Sequence, residues 1–566
     1  MRMSLKCKPI EPIPVDTQRL GELLLASTDS YRLIGEQLTD FVCDSDFIDL
    51  YADEGKPAES PALLAIVTVF QFMENLSDRQ AAAMVVKRID WKYALHLALT
   101  DPGFNYSVLC EFRQRLLRHH QETLVFERLL KKLQVLGLVK ARGVQRTDAL
   151  AVLGAVTRLN RLELVCETLR VVLNDIARLE PVWLQQTVPQ TFIERYSERA
   201  EAGRLVTETG SKAEAQVQRL AQQAGQDGYW LLQRLEAADV PVPLKTLPTV
   251  ETLRTVWEQH FTVRAAETSP TQPITVEFRA QPAGAGANLI PTPHDPQVRY
   301  SEKRGQEWVG YKVQVTETTD PDLPRIITDI RTTPDEQQVE PIQQTLTMRQ
   351  LLPAQHVVDM AYVSGPSIAT SATHGIELIG PARPDTSAQA RMDGGITLSQ
   401  FEINETQHYA CCPLGHRSVV WSVGTQRGKP VVRIRFAAWT CAACPLYDRC
   451  VLRHKQKPVG RTLKVLAYHA QVCEQRRKQT TAPFKAVYRR RSGVEATLSL
   501  LVRRHGVRRA RYVGMAKTHL QHQFIGTACN LKRCATWLAG VRPKVRGRST
   551  VGLKQLVAPS SVPVVQ

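Results

Sequence analysis

Negative charge all but vanishes between Val451 and Thr550, where 24 lysines and arginines stand against two acids, Glu474 and Glu495. That excess of 22 is larger than the +18 net charge of all 566 residues, so the remainder of the chain is acidic by 4. A basic surplus confined to one region is the footprint of a polyanionic partner, nucleic acid above all. Long apolar runs are also missing. The longest near the N-terminus, A-L-L-A-I-V-T-V-F (Ala62–Phe70), is too short to span a bilayer. The opening M-R-M-S-L-K-C-K-P-I-E-P-I-P has no apolar core of a signal peptide. These absences argue against a membrane partner and predict a soluble, cytoplasmic, nucleoid-associated protein. In that compartment the twelve cysteines are expected as buried or metal-binding thiols rather than a disulfide framework.

What is present suits a multidomain globular chain. Hydrophobic residues make up 43% of it, enough for buried cores, and its length suggests roughly three or four domains. Residues 1–138 read as helical, with S-P-A-L-L-A-I-V beginning on a Ser cap and a first-turn Pro. Leu76–Arg88 and Tyr106–His120 read as further amphipathic helices, fitting a DNA-binding-like module or a plain helical bundle. In 139–157 the Val- and Leu-rich run around Asp148 reads as a strand. Helical periodicity returns over 158–264, and 265–297, rich in Pro, Gly, Ala and Thr, reads as a connector. Residues 298–400 predict a mixed α/β core. Trp308–Thr318 and P-R-I-I-T-D-I-R form a hairpin, E-P-I-Q-Q-T-L-T-M-R-Q-L-L a helix, and Ala354–Tyr362 a buried strand ending at Asp359. A Cys-rich segment occupies 401–460, helices resume over 461–540, including one from Ala482 to Leu501, and 541–566 reads as a basic, disordered tail.

Three acids stand out: Asp148 and Asp359 in apolar strand-like runs, and Glu495 in a run of arginines. A carboxylate in an apolar strand is expensive to desolvate unless paired or metal-bound. A divalent cation relieves both that penalty and the repulsion between carboxylates. In Y-R-R-R-S-G-V-E, offsets of three and four residues put Tyr488, Arg491 and Glu495 on one helix face.

This stretch resembles the Tyr-Arg-Glu signature of DDE-type bacterial insertion-sequence transposases. Q-R-T-D (Gln145–Asp148) looks like the family's first-Asp strand and H-V-V-D-M-A-Y its second. R-Y-S-E-K-R-G-Q-E-W-V-G-Y-K-V, R-A-R-Y-V-G-M-A-K-T-H-L-Q-H and the N-terminal helices are similar as well. The sequence departs at Ala149 and Leu150, where Ser-Thr is usual, at Ala361 for Gly, and at Val502 for Lys, with Arg503 and Arg504 adjacent. The resemblance implies an RNase H-like mixed-sheet core interrupted by a helical and a Cys-rich insertion. It implies a transposase that binds double-stranded DNA at terminal inverted repeats and at a target, as a homodimer. Asp148, Asp359 and Glu495 would hold two Mg²⁺ or Mn²⁺ ions for strand cleavage and strand transfer. The alternatives are an inactive or domesticated DNA-binding descendant, and an RNase H-fold nuclease without strand transfer.

In C-C-P-L-G-H and W-T-C-A-A-C-P-L-Y-D-R-C, Cys412, Cys441, Cys444 and Cys450 offer four thiolates for a structural Zn²⁺ in a zinc-ribbon-like insertion. Cys411 and His416 are alternative ligands, and a thiol-lined core without metal is the plain reading. Phosphate contacts are expected from Tyr488, Arg491, Arg503, Arg504, Arg508, Arg509, Arg511 and Lys517. Arg predominates, and its guanidinium grips phosphate bidentately.

Overall fold

The computed structural model describes residues 5–542 except 53, 202–204, 265–274, 285–287, 304, 335–337, 427 and 452–458. The expected tail from 541 therefore lies almost wholly outside the described residues, as does part of the 265–297 connector.

A six-stranded mixed sheet lies at the centre. Its middle strand is Val144–Leu153, which carries Asp148. On one side it pairs antiparallel with Gln306–Thr318, and that strand pairs antiparallel with both Ile327–Thr333 and Arg299–Lys303. On the other side come Gln355–Val357 and then Glu377–Ile379, both parallel. The hairpin and the helix Glu340–Met348 match the sequence expectations. The Asp359 strand is shorter than expected. It stops at Val357, and the Asp359 carboxylate instead caps a short 3₁₀ turn, Met360–Tyr362, by accepting from the Met360 N–H.

The N-terminal helices share one apolar core with this sheet. The connecting piece is the helix Met515–Leu538, which lies between them. Its Phe524 stacks on Phe72 of the helix Pro61–Met73 with ring centres 6.0 Å apart. Its opposite face is polar and buried. Asn530 exchanges two hydrogen bonds of 2.8 Å with the backbone of Ile327, and Gln523 donates to the Ile330 carbonyl at 2.7 Å. Amide side chains thus satisfy an edge strand whose free N–H and C=O groups would otherwise invite pairing with another chain.

Two further cores lie apart. One belongs to the helices Arg161–Leu179, Ser211–Glu236 and Pro248–His260 and the hairpin Phe261–Arg264/Thr275–Phe278. The periodicity predicts helix up to about 264, but the chain leaves it at His260. Phe261 and Val276 then close the core as a two-stranded ribbon. Here Glu167, Glu201 and His294 come within ligand distance of one another. Glu167 is already engaged by Arg170, the Ala200 N–H and His294. Burial alone would raise its pKa, but these partners hold it down at about 2. The group is a structural clasp. The third core is the Cys-rich one, built on a two-stranded ribbon and the three-stranded sheet Val420–Gln426, Lys429–Arg435 and Thr462–Leu466.

Candidate active site

Asp148 and Asp359 come together from distant parts of the chain, and Glu495 lies near enough for its charge to act on Asp148. Asp148 and Asp359 lie next to each other because their strands pair in parallel, Arg146 opposite Val357. Arg491 spans the two carboxylates, its Nη2 2.9 Å from Asp148 and 3.9 Å from Asp359. The Asp148 side chain is 15% exposed and that of Asp359 44%. Burial raises the Asp148 pKa above the usual aspartate value. Arg491 and the Ala149 N–H pull it back, while Asp359 and Glu495 push it up again. Glu495 is exposed, and among the described residues it makes no hydrogen bond or ion pair.

The segment bearing Glu495 differs from the single helix expected. Ala482–Tyr488 is α-helical, Arg489–Gly493 tightens into a 3₁₀ turn, and Val494–His505 resumes the α-helix. The cause lies underneath. The Arg146 guanidinium packs against Gly493 so closely that a Cβ there would sit 2.2 Å from its Nη1, and that nitrogen also donates to the Arg490 carbonyl. Arg146 in turn grips Glu317, which is fully buried. Glu317 also accepts from Thr497 at 2.7 Å and Arg533 at 3.0 Å. One buried carboxylate therefore ties the Asp148 strand, its neighbour, the Glu495 helix and the Met515–Leu538 helix into a single frame.

Tyr488 stacks on Phe484 and lies near both aspartates, with burial and then those charges raising its pKa. Tyr362 lies beneath the site, 2% exposed, its pKa raised far above the usual range by burial and then by Asp148 and Asp359. Its hydroxyl and the Nε of Arg491 are buried atoms without a hydrogen-bond partner. Carboxylates supply the oxygen ligands that a hard divalent cation takes, but among the described residues Asp148, Asp359 and Glu495 are not gathered within 4.8 Å of one another, and the orphaned Arg491 and Tyr362 donors suit an anionic or water oxygen rather than a cation.

A groove of about 850 Å³ runs beside Glu495, walled by Leu153, Trp308 and Val502, with Arg503 and Arg508 on its rim. Arg503, Arg504, Arg508, Arg509 and Lys517 are exposed, and among the described residues none is in an ion pair. Arg511 is different. It donates to the Leu76 carbonyl and Asn75 and packs over Phe72, so it serves the core rather than a ligand. Tyr512, next to it, packs against Arg113. Lys517 sits by that pair, away from the groove.

All twelve cysteines are free. Cys412, Cys441, Cys444, Cys450 and His416 line one cavity of about 30 Å³, room for one small ion or water. Backbone N–H groups of Leu446 and Arg461 point at the sulfurs of Cys444 and Cys441, at 3.4 and 3.5 Å. Burial pushes the Cys450 thiol up to about 11. The donor set suits zinc, but among the described residues no three of these donors lie within 4.8 Å of one another.

The sequence missed Arg146, Glu317, Thr497 and Arg533. Tyr362 stood in the quoted H-V-V-D-M-A-Y motif, the one signal that pointed to it.

No helix among the described residues is long and apolar enough to cross a membrane. Residues 411–535 match the family model described as transposase DDE domain, and residues 19–115 that of the transposase domain DUF772. The first match contains Tyr488, Arg491, Glu495 and the four cysteines, but neither aspartate. No curated protein matches the chain, and no solved structure does. Transposase-family sequence thus stands on both sides of the two aspartates, and these matches support an insertion-sequence DDE transposase.

Proposed function

We propose that this protein binds the terminal inverted repeats of its own element and cuts and joins DNA strands there, using divalent cations held by Asp148, Asp359 and Glu495. The observation that carries this reading is that Arg491 bridges Asp148 and Asp359, with Glu495 one helical turn further on and near enough for its charge to act on Asp148. The sheet supports an RNase H-like core: the Asp148 strand has antiparallel neighbours on one side and two parallel strands on the other.

Each residue then has a task. The three carboxylates supply hard oxygen ligands suited to Mg²⁺ or Mn²⁺. When bound, such ions supply Lewis-acid stabilisation of the attacking and leaving oxygens of a phosphodiester. Arg491 keeps the two aspartates compatible when no cation is bound and presents a guanidinium to the scissile phosphate. Tyr488 and Tyr362 wall the site. The exposed Arg503, Arg504, Arg508 and Arg509 hold the DNA backbone along the groove, with Arg503 covering the position where Val502 replaces the family's Lys. Cys412, Cys441, Cys444 and Cys450 would hold a structural zinc.

The test is cleavage of duplex DNA carrying the inverted repeats that border the gene, with Mg²⁺ or Mn²⁺ and with chelator. Metal-dependent nicking followed by joining to target DNA is the expected result, with Asp148→Asn, Asp359→Asn and Glu495→Gln each inactive. Binding without nicking would sink the enzymatic reading in favour of a DNA-binding descendant, and nicking without joining would leave a nuclease. Footprints on both repeats from one particle would establish the homodimer.

A further inference from the structure

The three-stranded sheet of the Cys-rich insertion has two unlike faces. Antiparallel partners share a face, so register assigns every side chain. Ile434, Leu463 and Val465 lie on the inner face and form its core. On the outer face Arg433 stands between Ser422 and Lys464, and Arg435 between Val420 and Thr462. All six of these outward residues are exposed. Arg433, Arg435 and Lys464 make no ion pair among the described residues. The chain supplies no acid to them locally either. His416–Arg435 holds five Lys and Arg and no Asp or Glu, and Arg449–Cys473 holds six and none. Cations at alternate positions of one strand, roughly 7 Å apart, with a third across the ladder, form a rigid array rather than a scatter of mobile charges.

The sheet also leads toward the segment that follows Asp359. The strand Thr462–Leu466 runs into Ala467 and Tyr468, which press on Gly365, six residues beyond Asp359. A Cβ on Gly365 would lie 2.7 Å from the Tyr468 Cβ and 3.3 Å from the Ala467 carbonyl, so the chain leaving the sheet abuts the start of the helix Gly365–Thr373.

We infer that this outer face is a second surface for double-stranded DNA, on which Arg433, Arg435 and Lys464 grip backbone phosphates of the duplex beyond the reacting bond. The inference rests on the reading of the protein as one that acts on DNA. Contacts made to backbone phosphates add length and orientation to the bound duplex rather than sequence preference.

The experiment uses the full-length chain and a labelled duplex several helical turns long, with and without the inverted repeat. R433Q/R435Q/K464Q is expected to weaken binding at least tenfold on both duplexes. It should flatten the dependence of log affinity on log salt by about 2 to 3, since each phosphate contact contributes a slope of roughly 0.9. KM for metal-dependent nicking should rise with kcat unchanged. Ser422→Arg, beside Arg433 on an exposed strand, is expected to tighten binding and steepen the slope, which keeps the test valid should the triple variant fold poorly. Unchanged affinity and slope in these variants would overturn the inference, as would loss of an acidic protein partner with DNA binding intact. Failure of the unaltered protein to bind any duplex would instead overturn the proposed function.

Discussion

Asp148 is held in an environment that disfavours its charge. Burial raises its pKa, and Asp359 and Glu495 raise it further against the pull of Arg491. The folded state therefore holds this proton more tightly than the unfolded chain does, so ionised Asp148 opposes folding above its raised pKa. That opposition fades as pH falls through it. Asp148→Asn should accordingly raise the melting temperature at neutral pH while abolishing nicking, and Mg²⁺ should stabilise the unaltered protein but not the variant. Nicking by the unaltered protein should decline with acidity sooner than an ordinary aspartate would allow. A variant that melts lower than the parent in chelator would count against the arrangement. At this scale the sequence was informative where an acid sits in unusual company. An acid in an apolar strand or in an arginine-rich run is conspicuous. Glu317 was not conspicuous, because an acid in an alternating strand reads as a solvent-facing position. Its burial depends on Arg146 and Arg533, distant in sequence.

Among the elements, the 3₁₀ turn Arg489–Gly493 and the Glu317 frame together set where Glu495 points. Arg146→Met would leave Glu317 buried with fewer donors. Removing one member of a buried pair of this kind costs about 3–5 kcal/mol, which urea unfolding would measure. In protein that still folds, the concentration of Mg²⁺ needed for half-maximal nicking should rise, a shift that general destabilisation alone does not produce. Strands and helices with clean alternation or caps were legible: Ser60 does cap its helix. The tightened turn was not, since its cause is a guanidinium from a strand more than three hundred residues earlier. In the Cys-rich insertion the spacing announced the four cysteines, and the structure gathers them around one cavity. Exhaustive chelation should lower the melting temperature of this region, and Cys441→Ser/Cys444→Ser should abolish that sensitivity. Purified protein with no zinc by elemental analysis and no response to chelator would leave the cysteines as a metal-free core.

Across the whole molecule, periodicity showed that the N-terminal helices have apolar faces but not what covers them. Each face finds its partner only in the folded chain, chiefly the helix Met515–Leu538. Charge was legible at this scale as well. The basic surplus after Val451 contributes the groove arginines and part of the outer sheet face, with Arg511 the exception drawn into the core.

The position of the Met515–Leu538 helix also sets an order in time. Synthesis proceeds from the N-terminus, and local segments fold first. The contact between Arg491 and Asp148 closes a span of 343 residues, and the helix that completes the shared core is made after every acid of the site. A chain that ends before Arg491 therefore carries both aspartates without Glu495 or the residues that frame it. Chains truncated after His505 should be protease-sensitive throughout the N-terminal helices and sheet, while the second core, which has its own apolar interior, should survive as a resistant fragment.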